Sequence, residues 1–404
     1  MNYFSEKLSS GFVALSSGRL IQMVSNALVG LFLPIFIYIK VGHRIDLVLI
    51  FYGATWLLYA VFLPVGVRLL NRFGLKRALV VSVFFDALVY VFLFNIDRAP
   101  LLFLTLAGLA RTVNMLLFWI PYHVDFAKFT SRRDRGREYS FIMAGATIIG
   151  IVMPVFAGAL ISRYSFNFVF LLEIIATMFE LIPFVMLPRT RESFSWSYRE
   201  TLKHYFCKPN RKLIIAHMAS GAENVVSFLI WPIFIFLLLD GQYLKVGIIS
   251  SLISAATVLL QLAIGNWTDK FDKRKLIRTG SFLYSIGWVV KAIIATAFQI
   301  FIAGVYHSFA DIVMRTPFDS LNYEIAADQG HYVDEYTVIK EMAVQSGRVI
   351  MILVVVILLS FSFALQWVFL LAAFASLAFN LIPEEELLDI HEKMAIKKNL
   401  TQTL

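Results

Sequence analysis

His307, Asp311, Arg315 and Asp319 follow one another at intervals of four residues in an otherwise apolar stretch. A step of four advances a helix face by about 40°, so the set sweeps only about 120° of one helix. An ionised side chain in hydrocarbon costs about 2.5–3.5 kcal/mol on insertion scales, so groups kept there face a cavity or a partner. Asp311 lies roughly 18 Å along this stretch counted from Gln299, near its middle. Burial there penalises its charged form, while Arg315 one turn on rewards it. A carboxyl balanced in that way can take a proton when a bound solute draws the arginine away, which makes Asp311 the leading proton-coupling candidate. Glu223 is the second. The alternative is a permanent Asp311–Arg315 pair that satisfies two buried charges.

Other polar residues at membrane depth have the types needed to contact a solute. Arg19, Gln22 and Asn26 fall within about 60° of one another on the first apolar run, and His217, Ser220 and Asn224 repeat the arrangement on the seventh. Arg111 and Asn114 share a face one turn apart, and Glu341, Gln345 and Arg348 share another. The expected solute-binding set is Asn26, Arg111, Asn114, Asn224, His307, Arg315 and Gln345. Amides on a helix face also serve as hydrogen-bond glue between helices, and that role stays open for Asn26 and Asn224. Asp86, Glu173, Glu180 and Lys291 are expected to be structural pairs or snorkelling groups, with a lateral, lipid-facing solute path as the alternative. None of the seven histidines has another four residues away, and the single cysteine, Cys207, lies in a polar stretch. Neither a metal site, a cysteine nucleophile nor a disulfide is expected. No Gly-rich loop ending in Lys-Ser/Thr is present, so ATP is not the expected energy source and no cofactor is predicted.

These residues need helices that hold them at depth. The chain has 404 residues, 59% hydrophobic and 16% charged, with a mean hydropathy of +0.76. Soluble domains carry about 25% charged residues, so this chain belongs in a bilayer. A spanning helix takes about 20 mostly apolar residues. Twelve such runs are present, roughly 15–39, 46–68, 77–96, 99–122, 138–162, 166–188, 212–239, 245–266, 276–297, 299–321, 336–360 and 363–382. Barrel strands would be about half that length and would alternate. The net charge of +9 does not indicate nucleic acid, because the basic residues sit in short loops that are alternately rich and poor in Lys and Arg. That bias predicts a plasma-membrane protein with both termini and the central 189–211 stretch in the cytoplasm. The 322–335 connection dissents with its acidic residues, which carry little topological weight. Trp196, Tyr198, Tyr205 and Phe206 in the central stretch fit either an amphipathic interfacial helix or a plain tether. The first apolar run lacks a cleavage site and is expected to remain as a helix.

The chain is duplicated. At an offset of 198 residues, Asn71 falls on Asp269, Arg72 on Lys270 and Phe73 on Phe271, and Pro34-Ile35-Phe36-Ile37 recurs as Pro232-Ile233-Phe234-Ile235. The offset drifts to 196 at Gly108/Gly304, as single-residue loop changes would produce. Periodicity near half the length means two homologous halves, and transporter halves of this kind enclose a site between them. The expected organisation is a six-helix bundle over 1–188, a linker over 189–211, a second bundle over 212–383 and a tail over 384–404.

Two charged loops of the Gly-x-Leu-x-Asp-Arg-x-Gly-Arg-Lys type, after the second and eighth of these runs, resemble those of the major facilitator superfamily. The resemblance covers essentially the whole chain. Asn71, Arg72 and Gly74 stand at motif positions in the first loop, with Asn71 in place of the family's aspartate; Asp269 and Lys270 stand in the second. The run from Ala107 to Met115 is similar to the Leu-x-x-x-Arg-x-x-Gln-Gly pattern of proton-coupled antiporters, with Arg111 on the arginine, Asn114 on the glutamine and Met115 replacing the glycine. Gly150 to Gly158 is similar to the antiporter Gly-Pro-x-x-Gly-Gly element, with Met153 and Ala157 replacing glycines. The resemblance implies an all-α integral membrane protein with twelve transmembrane helices in two pseudo-symmetric bundles. It further implies a secondary transporter that moves a small solute by alternating access, proton-coupled and leaning towards export, with lipid and protons as partners and no nucleic acid. Two other classes stay in view. A non-transporting receptor or scaffold of the same fold would show no solute flux, and a membrane-embedded enzyme would need a nucleophile or metal cluster that the residues above do not supply.

Overall fold

The computed structural model describes residues 8–130, 135–190, 194–268, 271–328 and 333–382, and every regular element among them is helical. In chain order the α-helices are α1 (Ser10–Val29), α2 (Leu33–Lys40), α3 (Ile45–Phe73), α4 (Leu75–Phe94), α5 (Pro100–Phe129), α6 (Arg135–Arg163), α7 (Phe166–Phe179) and α8 (Leu181–Met186). They continue as α9 (Tyr198–Tyr205), α10 (Arg211–Val225), α11 (Trp231–Leu238), α12 (Tyr243–Thr268), α13 (Lys273–Lys291), α14 (Ala297–Asp328), α15 (Val333–Ser360) and α16 (Val368–Leu377). Ten described spans are long and apolar enough to cross a bilayer, counting α1 with α2, α7 with α8 and α10 with α11 as single spans. The other two expected runs are helical but fall short. Helix α13 opens on Lys273, Arg274 and Lys275, and the last run, Leu365–Leu381, is a shorter apolar helix.

The first and seventh runs are interrupted at matching places. Helix α1 ends before α2 restarts with Pro34 in its first turn, and α10 gives way to a π-helical turn, Val226–Ile230, before α11 with Pro232 in its first turn. Proline lacks an N–H and its ring clashes with the carbonyl one turn back, so the helix yields just ahead of it. The duplicated prolines therefore break both halves alike.

Helix neighbours also repeat. Helix α4 lies on α5 and α7 as α13 lies on α14 and α16; α1 lies on α6 as α10 lies on α15; α3 lies on α5 as α12 lies on α14. The halves meet along α6–α12, α3–α15 and α2–α11. In lipid, close backbone packing at small residues drives such association. A Cβ added at Gly247 would lie 2.3 Å from the Pro154 carbonyl oxygen, and one at Gly158 would lie 2.7 Å from that of Tyr243. The Val155 N–H donates to Ser251 Oγ across the same seam (3.1 Å). Phe32, Phe166 and Phe236 gather around Tyr243 with ring centroids 6.2, 5.4 and 5.0 Å away.

Gly74 separates α3 from α4 with φ at 77°. Nothing lies within 4 Å of a Cβ there, so conformation rather than space requires the glycine. Asn71 beside it holds the central linker: its Nδ2 donates to the Phe194 carbonyl (3.1 Å) and its Oδ1 accepts from the Phe194 N–H (3.0 Å). The linker then forms α9, capped reciprocally by Ser197 and Glu200 and packed on α3 and α15, one from each half. Trp196 stacks on His204 with centroids 4.0 Å apart.

Candidate functional site

The second half concentrates charge around Arg315 of α14. Its Nε donates to Asp311 Oδ1 one turn back (2.9 Å), and its Nη2 reaches Glu223 Oε2 on α10 (3.4 Å). The other Glu223 oxygen accepts from the Tyr284 hydroxyl of α13 (2.8 Å). Glu223 is 1% exposed, whereas Arg315 and Asp311 keep 30% and 35% of their side chains accessible. One guanidinium thus serves two carboxylates. Lys291 of α13 faces the same cluster, its ammonium 4.1 and 4.4 Å from the ring centroids of Trp288 and Trp231. Buried His307 packs between the rings of Tyr284 (4.0 Å) and Trp288 (4.6 Å). Neither of its ring nitrogens makes a hydrogen bond among the described residues.

Between the halves, buried Gln345 of α15 donates to Glu341 Oε2 (3.4 Å) and accepts from Arg348 Nη1 (3.1 Å). Across the seam, Trp56 of α3 meets the Arg348 guanidinium at 4.7 Å and Tyr59 stands beside Glu341. Arg19 of α1 donates to Gln22 and lies over Trp119 and Tyr122 of α5, 5.1 and 5.2 Å from their centroids. The charges of Arg19 and of Lys340 on α15 both reach His123 of α5. Charged and aromatic side chains from both halves therefore converge on one region.

The remaining expected positions are spread through the bundle. Arg111 Nη1 donates to Asp86 Oδ1 on α4 (2.7 Å), and Asn114 Nδ2 donates to the Ser82 carbonyl (3.0 Å), tying α5 to α4. Asn26 and Asn224 donate to carbonyls of their own helices, Gln22 (3.0 Å) and Ser220 (2.6 Å). Thus His307 and Arg315 group with Asp311 and Glu223, Gln345 lies at the seam, and Arg111 and Asn114 face α4 in the first half. Asn71, Arg72 and Gly74 lie at the α3–α4 corner, while Asp269 and Lys270 lie outside the described residues. Tyr284, Trp56 and Tyr59 join the clusters without having been singled out in the sequence. For Tyr284 a signal existed: the 198-residue offset places it on Asp86, as the 196-residue offset places His307 on Arg111.

The family model for the Major Facilitator Superfamily matches residues 15–240. The chain belongs to the major facilitator superfamily. Its overall fold resembles that of the peptide transporter POT in complex with sulfate, with a TM-score of 0.70 and 12% identity over 95% of this chain and 94% of that one. A bacterial metal transporter has a TM-score of 0.62 at 12% identity, over 93% of this chain and 98% of that one. By sequence, the chain is 21% identical over 336 residues to the uncharacterized protein YqgE of Bacillus subtilis (strain 168), covering 81% of this chain and 77% of that protein. As a member of this superfamily with ten described spans of membrane length, it is a multi-pass membrane protein.

Proposed function

We propose that this chain is a secondary active transporter of the plasma membrane that moves a small solute by alternating access and couples the movement to protons. The moving bodies are the 1–188 and 212–383 halves; the 189–211 linker, both termini and the 384–404 tail lie in the cytoplasm. The Lys and Arg bias of the loops supports that orientation. The resemblance of the Arg111 segment to antiporters inclines the direction towards export.

The observation that carries the reading is the sharing of Arg315 between Asp311 and Glu223. A solute group that takes over the guanidinium leaves two carboxylates without their cation, and one of them then takes up a proton. Solute release reverses the exchange. Glu341, Gln345 and Arg348, opposite Trp56 and Tyr59, supply solute contacts that change as the halves rock.

The test is a solute screen in proteoliposomes with an imposed pH gradient, headed by peptides and metal ions because the structural neighbours' descriptions name them. Wild type should show flux driven by the gradient. Asp311→Asn should lose gradient-driven flux while keeping solute exchange. Unchanged pH dependence in folded Asp311→Asn protein would remove Asp311 from the role and leave Glu223. Absence of flux for every solute would favour a receptor or scaffold.

A further inference from the structure

The first half holds a second set of buried charges, away from the seam between the halves. Asp86 of α4, Glu173 of α7 and Glu180 at the α7–α8 junction are 1%, 0% and 1% exposed. Arg111 of α5 donates to Asp86 Oδ1, and Ser25 of α1 donates its hydroxyl to Glu180 Oε1 (3.1 Å). Among the described residues, Asp86 Oδ2 and both carboxyl oxygens of Glu173 accept no hydrogen bond. The groups that face Glu173 are Asp86 and Tyr90 from α4, Arg111 from α5 and Glu180 along its own span. Tyr52 of α3 faces Arg111 from the other side, and Arg19 of α1 acts on Glu180 from a distance while bound to Gln22.

Three carboxyl groups therefore share one directly paired guanidinium, and the most buried of the three, Glu173, has the Tyr90 phenol beside it but no counter-ion of its own. A carboxylate so buried stays ionised only while a nearby cation offsets its lost hydration, so its proton comes and goes with the Arg111 charge beside it. Among the described residues no group of three His, Cys, Asp or Glu converges as a metal-ligand set. A proton can neutralise such a cluster without a ligand set.

We propose that Glu173, with Asp86 and Glu180, forms a proton-binding site of the first half, distinct from Asp311 and Glu223 in the second. Arg111 makes the site exchangeable. It keeps 37% of its side chain accessible, so it can trade Asp86 for another anion, which leaves Asp86 to take a proton. The site is also joined to the seam. The Ser25 hydroxyl that binds Glu180 contacts the Gln22 carbonyl as well (3.1 Å), and Gln22 holds Arg19. In the duplication Ser25 occupies the place of Glu223. The first half thus sets its hydroxyl on α1 and its acids on α4 and α7, whereas the second sets an acid on α10 and the hydroxyl of Tyr284 on α13.

The proposal extends the proton-coupled reading above, but its test needs no transport, so the two can fail separately. Purified full-length protein in lipid vesicles is taken through pH jumps, with proton uptake read by a soluble indicator and the protonated-carboxyl stretch read by infrared difference spectroscopy. Glu173→Gln should lower uptake by about one proton per chain and remove one component of the infrared band, additively with the loss in Asp311→Asn. Glutamine matches the neutral acid in shape, and Glu173→Asp, which keeps a carboxyl, should restore the uptake. Uptake and band unchanged by Glu173→Gln would overturn the proposal. A Glu173 band that is constant at every pH would overturn it too, since the acid would then be permanently neutral. Should Glu173→Gln fail to fold, the wild-type spectra decide: a buried carboxyl band that titrates in Asp311→Asn protein supports the site, and its absence sinks it.

Discussion

The two halves share their helix neighbours but differ in how closely those helices approach and in where their charges sit. In the second half α10 and α15 nearly touch: a Cβ at Gly221 would lie 1.9 Å from the Val344 carbonyl oxygen, and one at Gly347 would lie 1.9 Å from that of Met218. In the first half nothing lies within 4 Å of a Cβ at Gly150, which the duplication places on Gly347, and the α1–α6 contact is made at Gly145 by the flexible Leu20 side chain. Charge diverges likewise. The Asp86–Arg111 ion pair across α4 and α5 is replaced across α13 and α14 by the rings of Tyr284 and His307. The second half instead brings Glu223 from α10 to Arg315. A duplicated scaffold retains its topology because many apolar residues specify it, whereas one or two substitutions move a charge to another helix.

The contrast can be broken most severely at Arg315. Arg315→Ala removes the cation from Glu223 and Asp311 together, and loss of one partner of a buried pair costs about 3–5 kcal/mol. A large fall in the thermal unfolding midpoint is expected, partly recovered by adding Glu223→Gln. An unchanged midpoint would mean that solvent already compensates the cluster. Next comes the paired test of the glycines. Gly347→Ala forces α10 and α15 apart and should cost about 1–3 kcal/mol, while Gly150→Ala should stabilise by about 0.4–1 kcal/mol through the unfolded chain. Equal responses would show that the two contacts are alike.

At the α3–α4 corner the effect is smaller and local. Asn71→Asp can still accept from the Phe194 N–H but cannot donate to its carbonyl, which leaves a part-buried acceptor unpaired at about 1–3 kcal/mol. Faster hydrogen exchange over 194–205, with the spans unaffected, is the expected result. The smallest effect concerns α9. Hydrogen bonds from the Ser197 backbone and side chain hold the Glu200 carboxyl below its ordinary value of 4.5. An acid depressed on folding contributes stability above its unfolded value and loses it as pH falls through the folded one. Helix α9 should therefore fray only in acid, below that ordinary value, and Glu200→Gln should abolish the pH dependence of its amide exchange.

The sequence by itself determined the membrane setting, the duplication and the depth of each polar residue. Length and apolarity mark the spans, Pro34 and Pro232 mark their breaks, and counting residues along a run places Asp311 near its middle. It did not determine partners. Asp86, Glu173 and Glu180 fit the pattern of peripheral supports, yet Asp86 holds Arg111 and Glu173 stands fully buried without an ion pair among the described residues. Asn71 resembles a basic-loop residue but binds the linker backbone instead. The physical reason lies in the solvent. Lipid tails are as apolar as a protein core, so a membrane helix is hydrophobic on every side and its pattern does not say which face turns inward. Which carboxylate meets which arginine depends on helix rotation and on a few close contacts, such as Gly247 against Pro154, that only the packed tertiary structure decides.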